Sequence, residues 1–283
     1  MNVKAVLENL VGVAIRWGNP LLSKKPRSNA SHSTNQPQAA PVNIFSDDVF
    51  LVSYPKSGNT WLRFQIGSYL LDAPIDFVGL HHVMPDQHLD PTLAAPAQFR
   101  PRFIKSHASY DPAYPRVIYI IRDPRDVAVS AYFHHIKFKL LPKETSFDEF
   151  MQRFIEIGFY PQGLWSDHVE GWLSASRASV QLITYEEMLD SPAAILSTCL
   201  RFGGVEIDEK RIERAVENSS KERMQEVEDV QHEEYFRRHG SDTTQIRFVR
   251  EGRAGSWQSY FSSNVLQAFM ERYGQTMRKV GYI

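Results

Sequence analysis

Several short segments of the chain carry side chains that could bind an anion or move a proton. The first, residues 53–61, combines Lys56, several hydroxyl groups and Gly58. Free backbone N–H groups, a helix dipole and a lysine charge are what a phosphate needs from a strand-to-helix loop. The spacing is not that of the nucleotide P-loop, because its first glycine is absent and Lys56 precedes Gly58. A strand-to-helix turn with a solvated lysine is the alternative interpretation.

A second segment ends with a lysine and a histidine two positions apart, Lys105 and His107. Alternate residues of an extended chain leave the same side, so both can face the loop that contains Lys56. Histidine is the usual general base near neutral pH. Position alone does not select His107, because the chain has 10 histidines, and the competing pairs are His81 with His82 and His134 with His135.

A third segment places Arg122 at the end of an apolar run and Ser130 further along the following helical pattern. An arginine at a strand end and a serine two helical turns onward can reach one anion, the arginine in bidentate fashion. The alternative is surface pairing of Arg122 and Arg125 with Asp123 and Asp126.

A fourth segment, residues 250–257, sets two glycines among arginines and is called the late loop below. This pattern is typical of a loop that closes over an anion. It is equally typical of an ordinary basic turn, so the late loop alone does not identify a ligand.

These segments lie between elements that alternate along the chain from Asp47 onward. Short apolar runs predict strands over residues 49–54, 102–105, 117–121 and 180–184. Helical periodicity predicts helices over residues 60–71, 125–137, 147–157, 164–175, 208–218 and 264–280, and another that begins near Pro192. Such alternation indicates an α/β domain with a parallel sheet and helices on both faces. Ligands of such sheets bind at the carboxyl ends of the strands.

The first 45 residues stand apart from this domain, which is predicted over residues 46–283. Apolar residues from Val3 to Trp17 recur at helical spacing and predict a short amphipathic helix. Three roles stay open for this helix: packing on the domain, peripheral membrane contact and organelle targeting. Residues 23–43 are rich in Pro, Ser, Asn and Gln, as in a flexible linker.

The composition excludes several classes of protein. The 283 residues include 32 Lys plus Arg against 33 Asp plus Glu, which argues against a general nucleic-acid binder. The single cysteine, Cys199, excludes an intramolecular disulfide framework and a cysteine-rich metal site. A reducing compartment is the default for such a chain, so a cytoplasmic protein is expected, with membrane contact through residues 1–20 left open.

Taken in chain order, these segments resemble the sulfotransferase family that uses 3′-phosphoadenosine 5′-phosphosulfate. Residues 54–61 look like the family's 5′-phosphosulfate loop, and residues 104–107 are similar to its catalytic segment. Residues 121–130 resemble the 3′-phosphate motif, and the late loop resembles the loop that returns to that phosphate. Residues 185–188 match the segment whose tyrosine contacts adenine. The resemblance implies a P-loop-like fold and in-line transfer of a sulfuryl group, without a metal.

The resemblance also implies roles for individual residues. His107 would be the general base, Lys56 would stabilise the leaving 5′-phosphate, and Lys105 would hold the sulfuryl oxygens. The donor-binding residues that it implies are Lys56, Ser57, Gly58, Asn59, Thr60, Trp61, Arg122, Ser130, Tyr185, Ser219, Met224, Arg250, Glu251 and Gly252. The acceptor would be a small or lipid-like molecule with a hydroxyl or amine, and not a nucleic acid.

The acceptor pocket is expected where aromatic and apolar residues gather. Candidate walls are residues 77–88 and 133–141, together with Phe159, Tyr160 and Trp165. Each could equally pack in the core or in a loop. An apolar wall favours a phenol, an alcohol or a lipid-like acceptor over a bare sugar.

Three positions depart from the family pattern, and the first is Asn59, which stands where threonine is commoner. Glu251 stands where the late loop usually carries lysine, and an acid there is expected to weaken phosphate binding unless it turns outward. Lys221 stands where an aromatic ring usually covers the adenine. No C-terminal dimerisation motif is recognisable after Trp257, so the oligomeric state stays open. The alternative functions are a P-loop kinase acting on a small molecule and a nucleotide-binding protein without activity.

Overall fold

The computed structural model describes residues 43–90, 92–93, 99–175, 179–241 and 245–283. The amphipathic helix and the linker predicted before Asn43 lie outside these residues, so the boundary between them and the domain stays a prediction. No helix in the described part of the chain is both long enough and apolar enough to cross a membrane.

Parallel strands form the centre of the domain: β1 (Val49–Ser53), β2 (Phe103–Ser106), β3 (Arg116–Ile121) and β4 (Val180–Thr184). Their order across the four-stranded sheet is β2-β1-β3-β4. Every residue of β1 is buried, which explains its uninterrupted apolar sequence, because helices cover both faces of a parallel sheet. The predicted α/β class with a central parallel sheet is confirmed.

The α-helices that follow these strands cover the sheet. Those in the described residues are α1 (Asn59–Leu71), α2 (Phe77–Val83), α3 (Pro124–Lys137), α4 (Phe147–Ile157), α5 (Trp165–Leu173), α6 (Tyr185–Asp190), α7 (Pro192–Gly203), α8 (Glu209–Asn218), α9 (Lys221–Val230) and α10 (Ser263–Lys279). A π-helix spans His232–Phe236, and a 3₁₀ helix spans Ser256–Ser259. The sequence did not predict α2, α6 or α9, because the first two are too short to show periodicity and α9 buries little apolar surface.

Alternate side chains of β1 point into two separate cores. Val49 and Leu51 pack with α1, α7 and α8, whereas Phe50 and Val52 pack with α3, α4, α5 and α10. A slip of one residue would exchange these two sets, so the packing fixes the register of the strand. The fixed register sets where each strand ends, and the loops that follow β1, β2 and β3 therefore meet at one edge.

Candidate active site

A cavity of about 620 Å³ opens at the carboxyl edge of the sheet. Its lining includes Lys56 after β1, His107 after β2 and Arg122 after β3. These three strands are neighbours in the sheet, so their ends bring the three side chains together. Lys105 and Arg250 line the same cavity, so the segments singled out in the sequence share one site.

The loop after β1 turns at Lys56 and Gly58, whose φ angles are 72° and 100°. A Cβ atom on Gly58 would lie 2.6 Å from a ring carbon of Tyr185, so glycine is needed beneath this ring. α1 then begins at Asn59 without a side-chain cap on its first turn. Uncapped N–H groups at a helix start can bind an anion.

The Lys56 ammonium group holds its proton weakly. Burial, together with the nearby Arg122 guanidinium, lowers the pKa of Lys56 to about 7. Its Nζ atom also lies 4.3 Å from the centre of the Phe248 ring. A bound anion would favour the charged form and raise this pKa again. The cluster of cations around Lys56 therefore favours the binding of a negatively charged ligand.

Arg122 binds backbone oxygens rather than an acid. Its guanidinium donates to the carbonyl of Lys56 at 3.2 Å and to that of Arg253 at 3.3 Å. It lies 4.0 Å from the centre of the Tyr185 ring, and its Nε atom is buried with no partner among the described residues. The alternative of surface pairing is therefore wrong for Arg122, whereas Arg125 does pair with Asp123 at 2.7 Å, with both side chains largely buried.

Asp126 anchors the far end of the late loop, a role that the sequence did not suggest. Its carboxylate accepts hydrogen bonds from the N–H of Gly255 at 2.7 Å, the hydroxyl of Ser256 at 2.9 Å and the N–H of Trp257 at 2.9 Å. Asp126 is fully buried in the first turn of α3. It therefore ties the late loop to the helix that follows Arg122.

α9 anchors the near end of the late loop. The carboxylate of Glu228 accepts from the N–H groups of Phe248 at 2.6 Å and Val249 at 2.9 Å. The side-chain amide of Gln225 donates to the carbonyls of Val249 at 2.8 Å and Arg250 at 3.1 Å. No sequence pattern marked Glu228 or Gln225, because their partners lie about twenty residues further along a loop.

Two of the residues that depart from the family pattern, Glu251 and Lys221, line the cavity. The Glu251 carboxylate pairs with Arg250 and with Arg253. The stem of Lys221 lies across the late loop, where a Cβ atom on Gly252 would be 2.9 Å from its Cδ atom. In this arrangement the Glu251 carboxylate neutralises the charge of Arg250 within the late loop.

His107 is held by hydrogen bonds on three sides. Its Nδ1–H group donates to the carbonyl of Ser53 at 2.7 Å, so Nε2 carries the lone pair of the neutral ring. Its backbone N–H donates to Nε2 of His88 at 2.9 Å, and its carbonyl accepts from Nε2 of His168 at 3.3 Å. Burial and the charge of Lys105 hold the pKa of His107 well below its usual value. A neutral imidazole with a free Nε2 can accept a proton.

The competing histidines occupy other positions. His81 and His134 line the cavity, and His81 Nε2 lies 3.0 Å from the hydroxyl of Tyr235. His82 is exposed, and His135 is bound through Nδ1 to the carbonyl of its own helix at Ala131. None of these four is held at a strand end as His107 is.

Lys105 is paired with Asp86, which lies in the predicted wall segment 77–88 but was not predicted as a partner of Lys105. Its Nζ atom lies 2.7 Å from Oδ2 of Asp86. Burial by itself would raise the pKa of Asp86, but the charges of Lys105 and Arg63 outweigh it and hold this pKa well below the usual range. An ammonium has three donors, so the pairing leaves Lys105 able to bind a further acceptor.

Most residues implied by the family resemblance line the cavity. They are Lys56, Gly58, Asn59, Thr60, Trp61, Lys105, His107, Arg122, Ser130, Tyr185, Met224, Arg250, Glu251 and Gly252. Ser57 and Ser219 are fully buried and lie behind it. Ser219 instead accepts a hydrogen bond from the indole N–H of Trp61 at 3.0 Å, so it supports the wall rather than forming it.

The expected acceptor walls are placed mostly as predicted. The cavity is lined by Phe77, Leu80, His81, Asp86 and His88 of the first wall, His134 and Phe138 of the second, and Phe159 and Tyr160. The expectation is wrong for Trp165, which is fully buried in the core beside α10. Its helical spacing with Trp172 reflects packing of α5 against the sheet.

A family model described as a sulfotransferase domain matches residues 46–281. Sulfotransferase 2B1 of Mus musculus is 26% identical over 250 residues, which cover 84% of this chain and 73% of that protein. The crystal structure of mouse sulfotransferase SULT7A1 complexed with PAP has 25% sequence identity and a TM-score of 0.64, covering 84% of this chain and 86% of that one. Retinol dehydratase in a complex with retinol and PAP shares the fold, with a TM-score of 0.67 at 22% identity over 83% of this chain and 82% of that one.

Proposed function

The chain belongs to the sulfotransferase family, and from this premise we propose that it transfers a sulfuryl group from 3′-phosphoadenosine 5′-phosphosulfate to a hydroxyl or amine of a small acceptor. The observation that carries the proposal is the convergence of Lys56, His107, Arg122 and the late loop on one cavity. Two phosphate groups need cations at both ends of one nucleotide, and these residues supply them from separate strand ends.

The donor end fits a nucleotide with two phosphates. Arg122 presents a guanidinium with a buried, unpartnered Nε, and Ser130 and Arg250 line the same wall. These three residues would bind the 3′-phosphate. The uncapped start of α1 and Lys56 would bind the 5′-phosphate.

The acceptor end requires removal of a proton during transfer. We assign this step to Nε2 of His107, whose other ring nitrogen is committed to Ser53. As the acceptor oxygen forms its bond to sulfur, the bond from sulfur to the phosphate oxygen breaks and the acceptor proton passes to His107. Lys56 stabilises the negative charge that appears on the leaving phosphate, and Lys105 holds sulfuryl oxygens.

Thermal unfolding with two ligands tests the donor assignment. 3′,5′-Phosphoadenosine (PAP) at 100 times its Kd is expected to stabilise the protein by about 2.7 kcal/mol, and Mg-ATP by much less. Transfer from radiolabelled donor to a panel of phenols, alcohols and amines then tests the reaction. Stabilisation by Mg-ATP alone would favour the kinase alternative. PAP binding without any transfer would favour a protein that binds the nucleotide and lacks activity.

Replacement of His107 by alanine tests the base. His107→Ala is expected to abolish turnover and leave the Kd for PAP unchanged, because the imidazole acts on the acceptor and not on the nucleotide. His82→Ala, at an exposed position, is the matched control. Turnover by His107→Ala within tenfold of the wild type would remove His107 from this role.

A further inference from the structure

Arg63 is a buried arginine in the cavity wall that forms no ion pair in the described residues, although the charge of Asp86 acts on it from a longer distance. It is 3% exposed and lines the cavity together with Phe77 and Leu80. Its Nη2 donates to the carbonyl of Met84 at 3.3 Å, and its Nε has no partner. Among the described residues, no carboxylate oxygen lies within 4.0 Å of its guanidinium.

The neighbouring carboxylate is already committed to other groups. Oδ2 of Asp86 pairs with Lys105 at 2.7 Å, and Oδ1 accepts the backbone N–H of His88 at 3.0 Å. This part of the wall therefore holds two cations, Lys105 and Arg63, and one anion. A buried charge without an ion-pair partner is costly, and a ligand of opposite charge bound to Arg63 would offset that cost.

Arg63 belongs to the acceptor side of the cavity. Its bonded partner Met84 begins the segment that continues through Asp86 to His88, and His88 accepts the backbone N–H of His107. The main arginine charges acting on Lys56 come from Arg122 and Arg250, whereas Arg63 acts on His81 and Asp86. Arg63 is thus grouped with the residues around the base and not with the donor cations.

We propose that Arg63 binds an anionic group on the acceptor, preferably a carboxylate, so that the acceptors are hydroxy acids with an apolar body. This inference rests on the proposed function. A planar guanidinium can bind a carboxylate through two parallel hydrogen bonds. The apolar part of the molecule would lie against Phe77 and Leu80, and its hydroxyl would reach His107.

Pairs of acceptors that differ only in charge test the inference. Kinetics would compare 4-hydroxyphenylacetate and longer aryl or alkyl hydroxy acids with their methyl esters at a fixed donor concentration. The wild type is expected to favour the acid in kcat/KM by at least tenfold for the chain length that fits. Arg63→Met is expected to abolish this preference, and Arg63→Lys to retain part of it.

Two controls separate charge recognition from folding. Arg223→Met changes an arginine whose side chain is 63% exposed on α9, and it should keep the acid preference. The Kd for PAP should stay the same in both Arg63 variants, because Arg63 is not placed at the donor end. If Arg63→Met does not fold, the acid-to-ester ratio of the wild type and of Arg63→Lys still decides the question.

The outcomes distinguish the inference from the proposed function. A wild type that binds PAP and transfers sulfate to acids and esters equally, or prefers the esters, overturns the inference and leaves the proposed function intact. An Arg63→Met variant that binds PAP and keeps the acid preference also overturns it. A wild type that does not bind PAP refutes the proposed function itself, and the inference falls with it.

Discussion

The side chain of Lys56 is surrounded by groups that make its charge costly. It is half-buried and poorly hydrated, it is repelled by Arg122 and Arg250, and it lies against the ring of Phe248. Its pKa of about 7 means that a large share of the free protein carries a neutral lysine at physiological pH. Anion binding at this position should therefore be coupled to proton uptake.

PAP binding is expected to take up a proton at roughly pH 8.5, because Lys56 is then mostly neutral in the free protein and charged beside a phosphate. PAP affinity should accordingly fall as the pH rises above the Lys56 pKa. Calorimetry in buffers of different ionisation enthalpy measures the uptake. Lys56→Met removes the titrating group, and equal uptake by this variant would contradict the assignment.

Arg122 differs from Arg250 and Arg253, which pair with Glu251, because it has no carboxylate partner in the described residues. Arg122→Ala is expected to weaken PAP binding by at least about 2 kcal/mol, the scale of a charge-assisted contact. The loss should be much smaller for 5′-AMP, which lacks the 3′-phosphate. Arg201→Ala, at a side chain that is 63% exposed, is the control. An unchanged PAP affinity would place the 3′-phosphate elsewhere.

The late loop has no regular structure over most of its length, so its shape depends on neighbouring helices. Asp126 in α3 holds one end, and Glu228 in α9 holds the other. Glu228 is itself paired with Lys137 at 3.0 Å, and both side chains are buried. The position of Arg250 therefore depends on an ion pair between two helices.

Glu228→Gln is expected to lower the free energy of unfolding by about 3 kcal/mol, because it leaves the buried Lys137 charge without a carboxylate partner, with only the carbonyl of Ile246 bound to it. Glu226→Gln is the matched control on the same helix, since its partner Arg223 is exposed and such pairs contribute less than about 1 kcal/mol. Urea unfolding of the two variants measures the difference. Equal losses would mean that the Lys137–Glu228 pair contributes no more than a surface pair.

The cavity joins parts of the molecule that are distant in sequence. Strand ends from the first half of the chain form one side, and the late loop with the start of α9 forms the other. Core packing on both faces of the sheet holds the strand ends, whereas the late loop is held by a few polar contacts. The late loop is the part of the site that a ligand can stabilise most.

PAP binding is expected to slow amide hydrogen exchange in the late loop and in residues 54–60, and to change exchange in α4 little. A nucleotide would contact both the late loop and the loop after β1. α4 instead packs in the core that contains Phe50 and Val52. Mass spectrometry of peptides from these regions gives the comparison. Equal slowing in α4 and the late loop would indicate a general stabilisation and contradict the bridging arrangement.

The strands and the main helices could be predicted because their signals are local. Parallel strands such as β1 are buried on both faces and read as apolar runs, and the helix after each run carries its own periodicity. α2 was not predicted because it is short, and α9 was not predicted because it is mostly polar. Trp165 was a candidate for the cavity wall with core packing as the open alternative, and the structure places it in the core, as its helical spacing with Trp172 also indicates.

The chemistry of the site could be predicted from short stretches of sequence. Lys56, His107 and Arg122 each lie in a strand–loop motif that can be recognised without the rest of the chain. Their meeting on one cavity depended on the strand order. The roles of Asp86, Asp126 and Arg63 emerged only after folding: Asp126 and Ser256 are 130 residues apart in sequence, and the burial that leaves Arg63 unpaired is created by packing. Short sequence motifs indicate which chemistry the chain can perform. Burial and contacts between residues that are distant in sequence exist only in the folded protein.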